Sequence, residues 1–247
     1  MTTANALDQV RLLDVQALDT RLAQIAHRRR TLPEHARLEQ LRSRAGSLHD
    51  ELVTAETAAQ DLSREVAKAE QDVALVRQRA ERDRARLDAG TGTAKDLQAL
   101  QHELVSLSNR QSDLEDVELE VMERLEEAQA VVARVESERL DVESQITEVE
   151  AGLRSALEEL DAEAEKVAGE RAAVVDGLDA GLVALYEKVR QASSGLGAAA
   201  LKGRRSEGCR LELTPVELGR IRSAAPDEVL RCEECGRILV RTADSGL

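Results

Sequence analysis

The chain has 247 residues, of which a third are charged, and its formal net charge at pH 7 is -14. It contains no Phe, no Trp and a single Tyr, so it lacks the aromatic side chains that supply much of the buried area in an ordinary globular core. This composition excludes a thick hydrophobic interior and favours long helices that bury a narrow apolar seam.

Two helices are predicted in the first third of the chain. The first spans about residues 4–30, and the second spans 33–88 with Pro33 in its first turn, where a proline is well tolerated. Apolar residues in the second helix recur at alternating steps of three and four, which is the pattern of a coiled coil. They include Leu38, Leu41, Ala45, Leu48, Leu52, Ala55, Ala59, Leu62, Val66, Ala69, Val73, Val76 and Ala80.

A third helix is predicted over about residues 95–190, and it continues the same alternation. Its seam includes Leu97, Leu100, Leu104, Leu107, Leu114, Val121, Leu125, Val132, Val135, Val142, Ile146 and Val149. Between the second and third helices, Gly90 and Gly92 can adopt left-handed backbone angles and Thr93 can cap the third helix. Residues 1–190 are therefore predicted to form one long antiparallel coiled-coil hairpin. In this register Pro33 lies opposite about Gly152, which predicts a shared kink or hinge at that height.

The composition changes after Arg190. Residues 191–197 are rich in Ser and Gly and are predicted to be a linker, and residues 198–243 are predicted to form a small, β-rich head. Thr214, Pro215 and Glu217 match the start of a short helix that runs to about Ala224. Short strands are predicted at 198–203, 229–231 and 238–240.

The cysteine pattern of the head indicates a metal site. Cys232 and Cys235 are two residues apart and are followed by Gly236, as in a zinc knuckle, where a tight turn brings two thiolates to one point. Cys209 ends a stretch of the same length, but that stretch begins with Ser206 instead of a cysteine. Three cysteines in a chain without a secretion signal favour metal ligation over disulfides.

These motifs together resemble a bacterial family that joins an N-terminal coiled-coil hairpin to a C-terminal four-cysteine zinc ribbon, particularly its actinobacterial members. The resemblance rests on four segments that cover nearly the whole chain: 95–104 (KDLQALQHEL), 114–123 (LEDVELEVME), 185–190 (LYEKVR) and 232–241 (CEECGRILVR). Family members are similar to a flagellar chaperone that binds an alternative sigma factor and an mRNA, and to a secretion-associated chlamydial protein. The resemblance implies an adaptor role and a zinc ion held by Cys209, Cys232 and Cys235, with Ser206 at the position of the family's first ligand.

Three interpretations of the cysteines remain open. Zinc is held by three thiolates, with water, Glu207 or another chain completing the site, and its affinity is then lower and more pH-dependent. Alternatively, hairpin packing alone holds the shape and Cys209 is a free buried thiol. A redox role for Cys232 and Cys235 is the third reading, although no strand-then-helix context surrounds them.

Two functions follow from this organisation, and both describe a cytoplasmic, non-enzymatic protein. The first is an adaptor or chaperone-like protein that uses the coiled coil and the zinc-ribbon head to bind a protein partner, with a homodimer as a further option. The second is a nucleic-acid-binding regulator, because the head is slightly basic whereas the hairpin is strongly acidic. Its candidate contact residues are Lys202, Arg204, Arg205, Arg210, Arg220, Arg222 and Arg237.

An enzyme is not expected, because two paired helices enclose no pocket in which carboxylates could be tuned for acid and base chemistry. A membrane partner is not expected either, because no segment approaches the roughly 18 consecutive apolar residues of a membrane span. The N-terminal stretch also lacks a basic start followed by an apolar run.

Overall fold

The computed structural model of the chain describes residues 2–246. Its helices are α1 (Ala6–Arg30), α2 (Pro33–Asp88), α3 (Ala94–Asp176), α4 (Ala180–Ala192) and α5 (Pro215–Ser223). Its strands are β1 (Ala198–Lys202), β2 (Arg205–Ser206), β3 (Leu230–Arg231) and β4 (Ile238–Arg241), and a short 3-10 helix (Ala243–Ser245) follows. The mainly α architecture with a small strand-containing C-terminal region confirms the predicted fold class. Among the helices described, none is both long enough and apolar enough to cross a membrane.

The chain divides into two compact units. The hairpin unit is Ala36–Glu150, and the ribbon unit combines the segment up to His35 with the segment from Ala151 onward.

In the hairpin unit, α2 and α3 run antiparallel and bury the predicted seam. Leu41 and Leu48 of α2 lie in one buried cluster with Val135 and Val142 of α3, and Leu48 is fully buried. Leucines and valines that alternate by three and four residues can meet in this way only if the two helices keep a common register over many turns. The coiled-coil prediction is confirmed for this part of the chain.

Charged residues flank the seam on both sides and fix that register. Arg44 bonds Glu138 at 3.0 Å and Arg79 bonds Glu103 at 2.6 Å. Arg42 bonds Glu150 at 2.8 Å on the same pair of helices. Each pair is exposed and contributes less than about 1 kcal/mol, so the pairs select the register more than they stabilise the fold.

The reversal between α2 and α3 is made by the two predicted glycines. Gly90 has a φ of 63° and Gly92 a φ of 131°, values that residues with a side chain rarely adopt. Thr93 and Asp96 then cap α3 reciprocally, because the Asp96 amide donates to the Thr93 hydroxyl at 3.3 Å and the Thr93 amide donates to the Asp96 carboxylate at 2.9 Å.

In the ribbon unit, α1 packs along the C-terminal part of α3. Ile25 of α1 shares a buried cluster with Leu160 and Val167 of α3. Arg21 of α1 bonds Glu163 of α3 at 2.9 Å. The first predicted helix therefore has the partner segment that the hairpin register predicts.

The prediction of one helix from 95 to 190 was wrong at its C-terminal end. The helix stops at Asp176 and α4 begins at Ala180, where the Asp179 side chain accepts a hydrogen bond from the Leu182 amide at 2.8 Å. The carbonyl of Gly177, freed by this break, accepts a hydrogen bond from Arg11 of α1 at 3.0 Å. A side-chain cap and a new acceptor for Arg11 together make the interruption favourable.

At the height where a shared kink or hinge was predicted, only the helix on the Pro33 side is interrupted. α1 ends before Pro33, which occupies the first position of α2, but α3 continues through Gly152. A glycine in the interior of a helix costs only about 1 kcal/mol, which tertiary packing offsets easily, whereas a proline removes a hydrogen bond and clashes with the preceding turn.

The four strands form one sheet in the order β2-β1-β4-β3. β1 is antiparallel to β2 and parallel to β4, and β3 is antiparallel to β4. The β3–β4 hairpin and the third strand at β1 confirm the sequence prediction, and so does α5, which Thr214 caps through the Glu217 amide at 3.1 Å. β2 was not predicted.

Both faces of this sheet are covered. Ile238 and Val240 of β4 point to one face, where they join a buried cluster with Leu12 and Val15 of α1 and with Tyr186 of α4. Leu239, which lies between them, joins a second cluster with Leu218 and Ile221 of α5. Alternating side chains of a strand point to opposite faces, so β4 lies between two helical layers. One layer is formed by α1 and α4, and the other by α5.

Residues 191–197, which the sequence predicted to be a linker, are held in place against the helices of the ribbon unit. α4 extends to Ala192, and Gln16 of α1 holds the rest of the segment by accepting a hydrogen bond from the Gly197 amide at 2.6 Å and donating to the Gly195 carbonyl at 3.1 Å. A Cβ atom at Gly197 would lie 2.8 Å from the ring of Tyr186, so only glycine fits there. The head is therefore packed against α1 and α4 and is not suspended from them.

A buried carboxylate joins three helices of the ribbon unit. Asp19 of α1, whose side chain is 4% exposed, accepts hydrogen bonds from the Tyr186 hydroxyl of α4 and from Arg171 of α3, both at 2.7 Å. Arg171 also pairs with Glu187. Burial and the bond to Asp19 raise the pKa of Tyr186 well above its usual range, so the phenol stays protonated and remains a donor.

The N-terminal residues add a further contact to the sheet. The Ala4 amide donates to the Asp227 carbonyl at 2.8 Å, and the Val229 amide donates to the Thr2 carbonyl at 3.1 Å. The first few residues therefore pair with the segment that leads into β3.

We expect Asp19→Asn to lower the free energy of unfolding by about 3 kcal/mol, because it removes the negative charge from a buried ion pair and leaves Arg171 poorly compensated. Asp14→Asn, an exposed change on the same helix, is the matched control and should shift stability by less than about 0.5 kcal/mol. Denaturant unfolding followed by circular dichroism measures both, and equal stability of the two variants would contradict the role assigned to Asp19.

Candidate metal centre

Three thiols meet at one end of the sheet. The sulfur atoms of Cys209, Cys232 and Cys235 all lie within 4.8 Å of one another, and those of Cys209 and Cys232 are 3.9 Å apart. Cys209 follows β2, whereas Cys232 and Cys235 lie between β3 and β4. The pairing of β1 with both β2 and β4 brings these distant segments together.

The turn between β3 and β4 has the predicted knuckle geometry. The Gly236 amide donates to the Cys232 carbonyl at 2.8 Å, and Gly236 has a φ of 69°, which favours a glycine. The Cys232 sulfur accepts hydrogen bonds from the amides of Glu234 and Cys235. Amides that point at a sulfur stabilise its thiolate form, which is the form that binds a metal.

The thiol pKa values move in opposite directions. Burial, reinforced by the adjacent Cys235 thiol, raises the pKa of Cys232 to about 11 despite the two amide hydrogen bonds. Burial also acts to raise the pKa of Cys209, but hydrogen bonds from the Leu211 amide, the Ser206 hydroxyl and the other two thiols outweigh it and leave the pKa below its ordinary value.

The donor set fits a zinc ion. Zinc–thiolate bonds are about 2.3 Å long, so two sulfurs at the corners of a tetrahedral site are separated by about 3.8 Å. The 3.9 Å between the sulfurs of Cys209 and Cys232 matches this edge without rearrangement. When bound, zinc would be held by these three residues and would cross-link β2 to the β3–β4 turn. Glu207 does not belong to the cluster, because its carboxylate accepts a hydrogen bond from Arg205 at 2.8 Å.

Four of the seven predicted basic contact residues lie around the β1–β2 turn beside Cys209. Lys202, Arg204, Arg205 and Arg210 are all exposed. The hydrogen bond from Arg205 and the charges of Arg205, Lys202 and Arg210 hold the pKa of Glu207 below its usual value, so three of these four cations act on one carboxylate.

The other three predicted residues lie apart from this group. Arg220 donates to the Arg231 carbonyl and pairs with Glu233 at 3.4 Å, and Arg222 is exposed on α5. Arg237 is partly buried and donates to the carbonyls of Leu196 and Ser193 at 3.1 and 3.4 Å. Its guanidinium therefore braces the segment before β1 and does not face solvent as a contact residue would.

Glu217 supports the metal centre and was not identified as a site residue from the sequence. It is 2% exposed on α5, and its carboxylate accepts a hydrogen bond from the Glu233 amide, inside the Cys232 knuckle, at 3.0 Å. The sequence showed only its place in the helix cap. Burial of an acid in the first turn of a short helix is visible only once α5 is packed on the sheet.

Two family models match the chain. A CT398-like coiled coil hairpin domain matches residues 15–194, and a C4-type zinc ribbon domain matches residues 205–239.

Similar proteins occur in mycobacteria. A Mycobacterium tuberculosis protein is 39% identical over 238 residues, which cover 96% of this chain and 97% of that protein. A solved structure from Mycobacterium smegmatis has a TM-score of 0.84 and 40% identity, over 97% of this chain and 100% of the other. The structure of CT398 from Chlamydia trachomatis has a TM-score of 0.66 at 16% identity, over 95% and 98% of the two chains, and so shares the fold.

In metal-free protein at pH 8, we expect iodoacetamide to modify Cys209 roughly tenfold faster than Cys232. The thiolate is the reactive form, and the lowered pKa and partial exposure of Cys209 give it more thiolate and more access than buried Cys232. Peptide mass spectrometry after timed quenching measures the rates, and urea-unfolded protein is the control in which they should converge. Faster modification of Cys232 in the folded protein would contradict this ordering.

Proposed function

The chain belongs to the family of proteins that carry a CT398-like coiled coil hairpin domain, and on that premise we propose that it is a non-enzymatic interaction protein whose hairpin binds a basic amphipathic helix of a protein partner. The zinc ribbon would hold its own small domain together and take no part in a reaction.

Support for a docking role comes first from the exposed apolar side chains of the hairpin unit. Leu119 and Met122 of α3 are 58% and 45% exposed, although both are large and apolar. They are three residues apart and therefore lie side by side on the helix surface. A two-helix layer can bury only its seam, so side chains on this face would be covered only by a further element.

The charge of the residues around Leu119 and Met122 indicates what kind of element would cover this face. Residues 113–127 contain eight acidic residues and one basic residue. A shallow groove beside Leu119 and Met122 is lined by Glu123, Glu126, Glu127 and Ala130. Within the described residues these three glutamates make no ion pair, unlike Glu115, which pairs with Arg77. An apolar stripe flanked by uncompensated acids is complementary to a helix that carries apolar residues along one side and Lys or Arg beside them.

A photo-crosslinking amino acid at Met122, introduced into the full-length chain in its native cells, should capture a discrete partner protein. Changing Glu123, Glu126 and Glu127 to Gln should reduce that crosslink at least severalfold, because the partner's basic side chains lose their counter-charges. The purified crosslinked partner should carry the attachment site on a segment with a basic amphipathic pattern.

Two controls make this experiment decisive. The photo-crosslinker at Ser137, an exposed position of α3 outside the acidic segment, should give no such product. The change of Glu158, Glu159 and Glu165 to Gln removes the same charge elsewhere on α3 and should leave the Met122 crosslink intact. Capture that is equal at both positions, or equally sensitive to both sets of substitutions, would count against the proposal.

A second candidate function is nucleic-acid binding through the ribbon, and the cluster of Lys202, Arg204, Arg205 and Arg210 favours it. Such a cluster would contact phosphates, and the lack of aromatic side chains for base stacking argues against recognition of a single-stranded sequence.

For this candidate we expect the affinity for duplex RNA or DNA to fall with salt, and the log–log slope to decrease by about 2 when Arg204 and Arg205 are changed to Ala. The change of Arg82 and Arg84 to Ala, which removes two exposed cations from the hairpin unit, should leave the slope unaltered. Fluorescence anisotropy across a salt series measures the slope, and binding that ignores salt or the ribbon substitutions would dismiss this function.

A further inference from the structure

The two halves of the metal centre are built on the same backbone. In the half between β3 and β4, the Gly236 amide donates to the Cys232 carbonyl at 2.8 Å. In the half after β2, the Arg210 amide donates to the Ser206 carbonyl, also at 2.8 Å. Arg210 has a φ of 62°, close to the 69° of Gly236. Ser206 therefore corresponds to Cys232, and Cys209 to Cys235.

The side chain of Ser206 follows the same correspondence. Its hydroxyl accepts a hydrogen bond from the amide two residues later, that of Gly208, at 3.3 Å, and the amide at the equivalent position of the other half, that of Glu234, acts to lower the pKa of the Cys232 thiol. The hydroxyl also hydrogen-bonds the Cys209 thiol. Ser206 is fully buried, so its hydroxyl is shielded from solvent.

The left-handed conformation of Arg210 is unfavourable for a residue with a side chain, at a cost of about 1–2 kcal/mol. The backbone of this half is nevertheless kept in the knuckle conformation. The turn therefore retains the shape of a ligand-presenting loop at a position where the ligand itself is an alcohol.

We propose that the metal centre has three thiolate corners and one neutral oxygen corner, which Ser206 provides. The oxygen donor is either the Ser206 hydroxyl itself or a water molecule that this hydroxyl holds by a hydrogen bond. An alcohol is not ionised at neutral pH, and it is a harder and weaker ligand for zinc than a thiolate. The centre therefore carries one negative charge fewer than a four-thiolate ribbon, and its metal is bound more weakly and exchanges more readily.

Ser206→Cys in the full-length chain tests this proposal through spectroscopy and affinity. With cobalt as the probe, the near-ultraviolet thiolate-to-metal absorption per bound ion should rise by about one third, because three thiolate bonds become four. The zinc affinity, measured by competition with a chromophoric chelator, should rise roughly a hundredfold. Ser106→Cys adds an exposed cysteine on α3 and should change neither quantity.

Ser206→Ala tests whether this side chain provides the oxygen corner. A loss of zinc affinity in this variant supports the proposal, because the alanine can neither bind the metal nor hold the water, and an unchanged affinity would overturn it. In either case the cobalt absorption stays at the three-thiolate level. Equal cobalt absorption in Ser206→Cys and the unsubstituted protein would overturn the proposal, and so would failure of the unsubstituted protein to bind cobalt.

Discussion

The burial of both faces of a very small sheet is the constraint on which the ribbon unit depends. β4 contributes Ile238 and Val240 to the cluster with α1 and α4, and Leu239 to the cluster with α5. A ribbon of this size usually needs its metal to fold, because its own apolar core is too small to offset the loss of chain entropy. Here two helical layers supply the missing burial. This explains how the chain can keep the knuckle backbone at a position that holds Ser206 and not a cysteine.

The same packing determines which polar side chains of α1 are buried. Asp19 and Gln16 of α1 are buried because α4 and the start of β1 cover them, and each satisfies its hydrogen-bonding groups with partners from other elements. An unpaired carboxylate or amide in that position would be strongly destabilising, so these residues select one placement of α4 and β1 against α1. In the hairpin unit, exposed ion pairs such as Arg44–Glu138 select the register of two helices at much smaller energies.

The parts of the fold that depend on local pattern could be predicted from the sequence. Residues that are close together in the sequence determine each of these features: the seam of α2 and α3, the reversal at Gly90 and Gly92, the α5 cap at Thr214 and the knuckle at Cys232. Contacts between distant segments could not be predicted. Gln16 is an unremarkable polar residue of a weak helix until Gly197 lies beside it, and Arg237 resembles an exposed basic residue until its carbonyl partners are in place. Gly177 and Asp179 did carry a signal for the break before α4, but the continuing apolar pattern outweighed it.

The composition of the ribbon unit also has a consequence for biosynthesis. The segments that bury α1, which are the C-terminal part of α3, α4, β1 and β4, come from the part of the chain after Ala151, and Ala36–Glu150 form a unit of their own. As the nascent polypeptide leaves the ribosome, Leu12, Val15 and Ile25 of α1 therefore stay uncovered until more than half of the protein has been translated. Such late, long-range closure is slow and leaves apolar surface open in the meantime. The first helix to be synthesised is thus among the last to pack against the rest of its unit.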